Sequence, residues 1–156
     1  MAPLPLTSRK GVISCVICAG RPATFLNGLL EDLTQQTLPR DMFEVIIHDN
    51  NAPGAKTLVD TFTPRLQINY MNDPDESGRI GRFRNNTLQK AQGEFILFLD
   101  DDTRIPQPGF LTGALEHFNS TSADIIMPAG QGRPSSEGKL PGFLDTYSFA
   151  ARCILY

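Results

Sequence analysis

Five apolar residues run directly into three acidic ones in the stretch Phe95-Ile96-Leu97-Phe98-Leu99-Asp100-Asp101-Asp102. An apolar run of this length with an abrupt polar end predicts a buried central strand that is covered on both faces. Adjacent carboxylates repel one another unless a cation or a phosphate-bearing ligand lies beside them. Ligands of open α/β sheets bind at the carboxyl ends of the strands. The stretch therefore predicts an α/β sheet and the position of its site.

The composition indicates one globular domain. A chain of 156 residues, 40% hydrophobic and 20% charged, is long enough to bury its own core. The net charge of -3 argues against a general nucleic-acid-binding surface, so we expect no nucleic-acid partner. No apolar run approaches the roughly 20 residues that span a bilayer. We expect residues 1–10 to be a short tail without a signal peptide, and residues 11–156 to form the domain.

The spacing of Cys15 and Cys18 is that of a redox or metal-binding pair. These cysteines fall in a predicted strand, however, where residues three apart point to opposite faces. Three cysteines are also an odd number, which does not suggest a disulfide framework. We therefore expect small buried thiols and a cytoplasmic location.

Strands alternate with helices along the chain. Apolar and β-branched runs predict strands at 12–18, 43–48, 66–71, 94–99 and 124–127. Helical spacing of apolar residues predicts helices at 23–36, 55–62, 82–91, 109–118 and 143–156. Such alternation predicts a mostly parallel sheet with right-handed crossovers.

Three loops are expected to meet at the carboxyl edge of this sheet, at 18–22, 49–54 and 100–104. Asp49 and Asn50 can hydrogen-bond a nucleobase edge or ribose hydroxyls, although Asp and Asn also favour plain turns. The three consecutive aspartates offer the oxygen ligands that Mg²⁺ or Mn²⁺ prefers, usually shared with substrate phosphates. The alternative is helix capping by Asp102 or Thr103, which accounts for one residue rather than three.

Three arginines, Arg79, Arg82 and Arg84, lie at the amino end of a predicted helix. The helix dipole disfavours cations at this end, so their placement indicates recognition of a nucleotide or its phosphates. The alternative is a solvated basic face paired with the acids of segment 73–76, where ion pairs contribute little.

Four motifs occur along the chain in an order that is typical of one protein family. They are Arg21-Pro22 after the first strand, Phe43-Glu44-Val45-Ile46-Ile47-His48-Asp49, Arg84-Asn85 before Ala91-Gln92-Gly93-Glu94, and Phe98-Leu99-Asp100-Asp101-Asp102-Thr103. Over roughly residues 10–127 the chain resembles the nucleotide-binding half of an inverting, GT-A-type family 2 glycosyltransferase. The resemblance implies a GT-A/Rossmann-like three-layer sandwich. It also implies metal-assisted transfer of a sugar, with inversion, from a nucleotide-diphospho-sugar to an acceptor hydroxyl.

The resemblance assigns expected roles to individual residues. Asp100–Asp102 would be the DXD motif, with Mn²⁺ or Mg²⁺ on Asp102 and with Asp100 and Asp101 facing ribose and diphosphate. Asp49-Asn50 stands where the family usually has two acids near the base, and Cys18-Ala19-Gly20 where it often has Thr-Tyr-Asn. The expected nucleotide-sugar-binding residues are Cys18, Gly20, Arg21, Asp49, Asn50, Arg79, Arg84, Asp100 and Asp101, and the metal ligands are Asp102 and Asp100.

The acceptor side is expected to be incomplete. Family members continue into a segment with the general base and often a Gln-x-x-Arg-Trp motif, whereas this chain ends at Tyr156 and has no Trp. Asp145 is our choice for the base that deprotonates the attacking hydroxyl, with helix capping or a surface position as its alternative. The acceptor is left open among glycan, lipid and small molecule. An apolar helix at 143–156 would offer a surface for a homo-oligomer.

Two other functions fit parts of the sequence. One is a non-catalytic nucleotide-sugar-binding module, or a fragment whose site is completed by a partner. The other is a haloacid-dehalogenase-type phosphatase with Asp100 as nucleophile and Asp102 as acid, although that family wants Thr or Val where this chain has Arg104. A dinucleotide-binding domain is disfavoured because no Gly-x-Gly-x-x-Gly follows the first strand.

Overall fold

The computed structural model describes residues 8–74, 79–122, 125–126 and 149–152. The strands are β1 (Arg9–Ala19), β2 (Phe43–Asp49), β3 (Ile68–Asn72), β4 (Gly93–Asp100), β5 (Ile125–Ile126) and β6 (Phe149–Arg152). The helices are α1 (Ala23–Thr34), α2 (Ala55–Phe62), α3 (Ile80–Leu88) and α4 (Phe110–Ser120), with a short 3-10 helix at Arg40–Met42.

The sheet is mostly parallel, as the sequence predicts. Its order is β3-β2-β1-β4-β6-β5, and the first four strands run parallel to one another. β6 is antiparallel to both β4 and β5. The chain moves outward from β1 through β2 to β3 and then returns to the other side of β1 to form β4. The order therefore reverses between β1 and β4, which is where open α/β sheets place their ligands.

Helices cover both faces of the sheet, which confirms the three-layer sandwich. α1, α2 and α4 pack on one face, where alternate residues of β1, β2 and β4 complete the larger core. Leu26, Leu29, Leu30 and Leu33 of α1 are fully buried at the spacing of one helical face. α3 covers β1 and β2 on the opposite face. A smaller core there is formed by Val16, Ile96 and Phe98, against which Leu88 and Ala91 pack.

β4 is a central strand, as its apolar run indicates. Residues 95–99 are all buried. Ile96 and Phe98 face the smaller core, whereas Phe95, Leu97 and Leu99 face the larger one. Burying a side chain of this size contributes about 2–3 kcal/mol. The strand thus fixes the position of the three aspartates at its carboxyl end.

The helix predicted at 143–156 is wrong for the residues that the structure describes there. Phe149–Arg152 is a strand that pairs with β4, with Phe98 opposite Phe149 and Phe95 opposite Arg152. A short apolar run fits a strand as well as a helix. Here the unpaired edge of β4 decides, because its backbone groups require partners. The oligomer surface was predicted on an apolar helix, which the described residues of this segment do not form. Asp145, the predicted general base, lies outside the described residues.

The prediction of a buried thiol is confirmed for Cys15, whereas Cys18 is only partly buried. Cys15 is fully buried in β1, Cys18 is partly exposed near its end, and both are free thiols. The alternation of the strand turns Cys15 to the larger core, which separates it from Cys18. Among the described helices, none has the length and apolar character needed to cross a bilayer.

Candidate functional site

The strand register brings the predicted loops together at one edge. Cys18 of β1 lies between His48 of β2 and Asp100 of β4, and the next residue, Ala19, pairs with Asp49. Asn72 at the end of β3 pairs with Asp49 in turn. The acidic and amide side chains therefore converge because the carboxyl ends of the parallel strands lie side by side.

Asp101 binds the backbone of the loop that follows β1. Its carboxylate is buried, and its Oδ2 accepts hydrogen bonds from the N–H groups of Gly20 and Arg21, each at 3.1 Å. Charge-assisted bonds of this kind are among the stronger ones in proteins. Asp101 thus connects the carboxyl ends of β1 and β4, and its contact with a diphosphate stays a prediction.

Asp102 is the more exposed neighbour and pairs with the side chain of Arg21. The guanidinium Nη1 donates to Asp102 Oδ2, and Nε lies 3.7 Å from Asp101 Oδ1. The hydrogen bond to Asp102 raises the pKa of Arg21. The exposed ring of Phe25 lies 5.6 Å from the guanidinium carbon. Arg21 therefore spans two of the three carboxylates at the site.

Asp100 pairs with Arg84 of α3. Arg84 Nη2 lies 3.3 Å from Asp100 Oδ1, and the guanidinium lies 5.6 Å from the Phe98 ring centre. Burial raises the pKa of the Asp100 carboxyl, Arg84 opposes the rise, and Asp102 and Asp101 add to it. A raised pKa shows that the ionised form is under-stabilised, so a second cation near Asp100 would be favoured.

A tight turn carries the aspartates. The backbone N–H of Asp100 donates to Thr103 Oγ1 at 3.1 Å, and the N–H of Thr103 donates to the Asp100 carbonyl at 3.0 Å. α4 begins at Phe110, well after this turn. The capping alternative for Asp102 and Thr103 is therefore wrong.

Asp49 is buried and fully hydrogen-bonded. Its Oδ1 accepts from the N–H of Ala52 at 2.6 Å, and its Oδ2 accepts from the Tyr70 hydroxyl and, at 3.3 Å, from Asn72 Nδ2. The first of these bonds is the plain turn that Asp favours. The N–H of Asn50 donates to the Ala19 carbonyl at 2.8 Å. Base contacts by Asp49 and Asn50 stay predictions.

The other two arginines lie at the start of α3, as predicted. Arg79 directly precedes the helix, and Arg82 Nη2 lies 3.8 Å from Asp73 Oδ2, which supports the basic-face alternative for Arg82. A shallow concave surface there is lined by Arg79, Ile80, Gly81, Arg82, Asn85 and Asn86. Ligand binding by Arg79 stays a prediction.

Sequence reasoning missed three residues that support the site. Tyr70 and Asn72 hold Asp49, and Asp32 of α1 accepts hydrogen bonds from Arg104 and Ile105, just beyond the aspartates. The signal for the first two was available, since polar residues two apart at the end of a strand share one face. No local signal pairs Asp32 with Arg104, because the contact joins distant parts of the chain.

His48 is a further buried polar side chain beside the site. It is 1% exposed and stacks on Phe83 with ring centres 4.5 Å apart. Within the described residues neither ring nitrogen has a hydrogen-bond partner, and Nε2 lies 3.8 Å from Asp73 Oδ2. His48 therefore helps to seat α3 on the sheet through its ring.

The carboxylates of Asp100 and Asp102 have the donor chemistry that divalent cations prefer. No group of three His, Cys, Asp or Glu side chains suited to a metal exists among the described residues. Mg²⁺ and Mn²⁺, however, need one or two carboxylates when substrate phosphates supply the remaining oxygens. Asp100 and Asp102 are both partly exposed at the carboxyl edge, with side-chain exposures of 25% and 32%. They are suited to such a shared site.

An open, mostly parallel sheet with an acidic site at its switch point is typical of a doubly wound α/β domain that binds its ligand at this edge. Residues 14–146 match the family model described as Glycosyl transferase family 2, so the chain belongs to this family. This result argues against the phosphatase alternative.

Similar proteins agree with this family. One relative is the poly(ribitol-phosphate) beta-N-acetylglucosaminyltransferase TarS of Staphylococcus aureus, 32% identical over 104 residues, or 66% of this chain and 18% of that protein. The crystal structure of S. aureus TarS 1–349 with UDP-GlcNAc superposes with a TM-score of 0.71 and 26% identity, covering 80% of this chain and 37% of that one. A Pyrobaculum calidifontis mannosyltransferase with GDP-Man and Mn²⁺ shares the fold, with a TM-score of 0.71, 20% identity and coverage of 83% and 38%. The chain thus spans well under half the length of these proteins.

Proposed function

We propose that the chain is the donor-binding domain of an inverting glycosyltransferase, which transfers a sugar from a nucleotide-diphospho-sugar to an acceptor hydroxyl. One observation carries the proposal: Asp100 and Asp102, flanked by Arg84 and Arg21, lie at the switch point of the sheet. Membership of glycosyl transferase family 2 supports the same reaction class.

The carboxylates would bind the cation, and the arginines would bind the phosphates of the nucleotide. Asp100 and Asp102 would hold Mn²⁺ or Mg²⁺, which when bound offsets the charge on the leaving diphosphate. Arg84 lies beside Asp100 and would place its guanidinium next to the nucleotide phosphates. Asp101 would keep the loop after β1 in place through its bonds to Gly20 and Arg21.

The nucleobase and the sugar of the donor are left open within this proposal. The S. aureus relative was solved with UDP-GlcNAc and the P. calidifontis one with GDP-Man, so both are reasonable probes. We place the nucleobase near the loops of Cys18 and Asp49, where the Asn50 side chain offers both a hydrogen-bond donor and an acceptor. Arg79 would lie at the periphery of this donor site.

The general base is proposed to be Asp145. An inverting transfer needs a carboxylate that takes the proton of the attacking hydroxyl. The test is Asp145→Asn, which should lower turnover while leaving nucleotide binding unchanged. Loss of nucleotide binding together with turnover would contradict this role. The acceptor stays open among glycan, lipid and small molecule, and a measurement of mass in solution tests the predicted homo-oligomer.

Calorimetric titration tests the donor site directly. UDP, GDP, UDP-GlcNAc and GDP-Man are titrated with and without Mn²⁺, and hydrolysis of each donor is measured in parallel. Asp102→Asn should weaken metal-dependent binding by at least about tenfold, because a neutral amide is a poor ligand for a hard cation. Asp60→Asn is the matched control, since Asp60 is an exposed carboxylate paired with Lys56.

The outcomes separate the candidate functions. Metal-dependent binding with donor hydrolysis supports the transferase. Metal-dependent binding without any turnover, also after acceptor screening, supports a non-catalytic module or a domain that needs a partner. Binding of no nucleotide by the wild-type chain would overturn both. A cytoplasmic location belongs to the same proposal and is supported by the free thiols of Cys15 and Cys18.

A further inference from the structure

Arg21 occupies the carboxylate that the proposed metal site needs. Its guanidinium donates to Asp102 Oδ2 and lies near Asp101, so one cation already compensates two of the three aspartates. Arg84 compensates the third, Asp100. The three adjacent carboxylates are thus neutralised in part by the chain itself.

A guanidinium and a divalent cation compete for the negative charge of one carboxylate. Both are positive, so close approach of the two is repulsive, and each weakens the binding of the other at Asp102. Entry of a cation at Asp102 therefore favours departure of the Arg21 side chain from this carboxylate. The diphosphate that accompanies the cation offers the guanidinium a new anion, which Arg binds well in a bidentate manner.

The backbone and the side chain of Arg21 differ in freedom. Its N–H is held by buried Asp101 at 3.1 Å, whereas its side chain is 52% exposed. The side chain can therefore pivot about a fixed backbone position. In the paired state the guanidinium carbon already lies 5.6 Å from the ring centre of Phe25. Arg84 is less exposed and lies against Phe98, so it is the less mobile of the two.

We propose that Arg21 is an internal counter-ion that holds Asp102 when no divalent cation is bound and moves to the diphosphate when cation and nucleotide enter. This inference rests on the proposed function, because it takes Asp102 as a metal ligand. Its consequence is coupling: the cation frees Arg21 for the nucleotide, and the nucleotide draws Arg21 away from the cation site. Linkage makes this effect reciprocal.

Free Mn²⁺ measured by electron paramagnetic resonance tests the exchange without any assay of activity. Arg21→Gln removes the competitor, so Mn²⁺ should bind about three- to tenfold more tightly in the absence of nucleotide. Arg65→Gln is the matched control, because Arg65 is an exposed arginine that pairs with Glu31 at 3.5 Å. Its Mn²⁺ affinity should equal that of the wild type.

Two further measurements sharpen the test. Arg21→Lys keeps the charge but lacks the planar fork of the guanidinium, so its Mn²⁺ affinity should fall between those of wild type and Arg21→Gln. UDP and GDP are then added separately. Whichever nucleotide tightens Mn²⁺ binding to the wild type should do so by a smaller factor in Arg21→Gln, because the coupling through Arg21 is gone.

The results distinguish this inference from the function on which it rests. If Asp102→Asn abolishes Mn²⁺ binding but Arg21→Gln leaves it unchanged or weaker, the counter-ion role is overturned and the metal site stands. Equal tightening in Arg21→Gln and Arg65→Gln would also overturn it, since general charge would then be the cause. If the wild type binds neither Mn²⁺ nor a nucleotide, both proposals fail together.

Discussion

Asp32 of α1 and Arg104 are joined by two hydrogen bonds, from Nε at 2.7 Å and from Nη2 at 2.8 Å. The N–H of Ile105 adds a third bond to the same carboxylate at 2.8 Å. Asp32 thereby connects the helix after β1 to the segment after the three aspartates. Asp32 thus stabilises the segment that follows the three aspartates, although it is not itself a residue of the candidate site.

Replacing Asp32 by Ala should destabilise the chain. The change removes three hydrogen bonds and leaves the buried N–H of Ile105 without its acceptor, at an expected cost of about 1–3 kcal/mol. Urea unfolding followed by circular dichroism measures the loss. Asp60→Ala is the control, because the exposed Lys56–Asp60 pair should contribute at most about 1 kcal/mol. Equal losses for the two variants would show that Asp32 has no special role.

The same pair predicts a pH dependence. Burial raises the pKa of Asp32. The hydrogen bonds from Arg104 and Ile105 and the charge of Arg104 lower it by more than burial raises it, so the net shift is downward. A lowered carboxyl pKa stabilises the folded state above the ordinary value of about 3.9, and this contribution is lost as the pH falls below it. The stability difference between wild type and Asp32→Asn should therefore shrink as the pH falls below about 3.9. A constant difference would contradict the shift.

Gly93 is required at the start of β4 by close contact. An added Cβ would lie 2.6 Å from the Val12 carbonyl oxygen and 2.8 Å from the backbone N and the Oγ of Ser14. Gly93→Ala should therefore lower the free energy of unfolding by about 1–3 kcal/mol. Gly113→Ala, at an exposed helical position, should instead be neutral or stabilising by up to about 1 kcal/mol. A neutral Gly93→Ala in the same unfolding measurement would contradict the contact.

Local patterns predicted most of the fold. α2 was predicted at the observed bounds, Ala55–Phe62, because its apolar residues recur at helical spacing between a glycine and a polar segment. β4 and β1 were also predicted, each longer in the structure by a few residues at the ends. Strand Phe149–Arg152 was missed because its state depends on the free edge of β4, which no local pattern contains.

The site was predicted less completely than the fold. The convergence of Asp49 with the three aspartates follows from parallel strands alone. The different uses of Asp101 and Asp102 do not, since one binds backbone N–H groups and the other a side chain more than 80 positions away in sequence. Long-range partners such as these depend on tertiary structure, which the sequence pattern does not contain.

Tyr70→Phe tests the support of Asp49. The hydroxyl of Tyr70 donates to Asp49 Oδ2, so its removal leaves a buried carboxylate with one fewer bond and should cost about 1–2 kcal/mol. Asn72→Ala removes a longer bond to the same oxygen, at 3.3 Å, and should cost less. Thermal unfolding of both variants gives the order. The reverse order would show that Asn72 is the main support.

The thiols of β1 should be inert at neutral pH. Burial raises the pKa of Cys18 to about 11, with Arg84 opposing the rise and Asp100 and Asp101 adding to it, and burial with Glu44 raises that of Cys15 to about 12. The contribution of these neutral thiols to the stability of the folded state is complete below the ordinary thiol pKa of about 8.5. It is lost as the pH rises from there through about 11.

Alkylation by iodoacetamide measures this shift in a Cys153→Ser background, which leaves the two thiols of β1. At pH 8 the thiolate fraction of Cys18 should be lower than in the unfolded chain by a factor on the order of 100, so native labelling should be correspondingly slow. The rate at Cys18 should then rise steadily toward pH 11, while fully buried Cys15 labels later. Labelling of native Cys18 at the unfolded rate at pH 8 would show an accessible, reactive thiol, and the redox interpretation of the Cys15–Cys18 spacing would return.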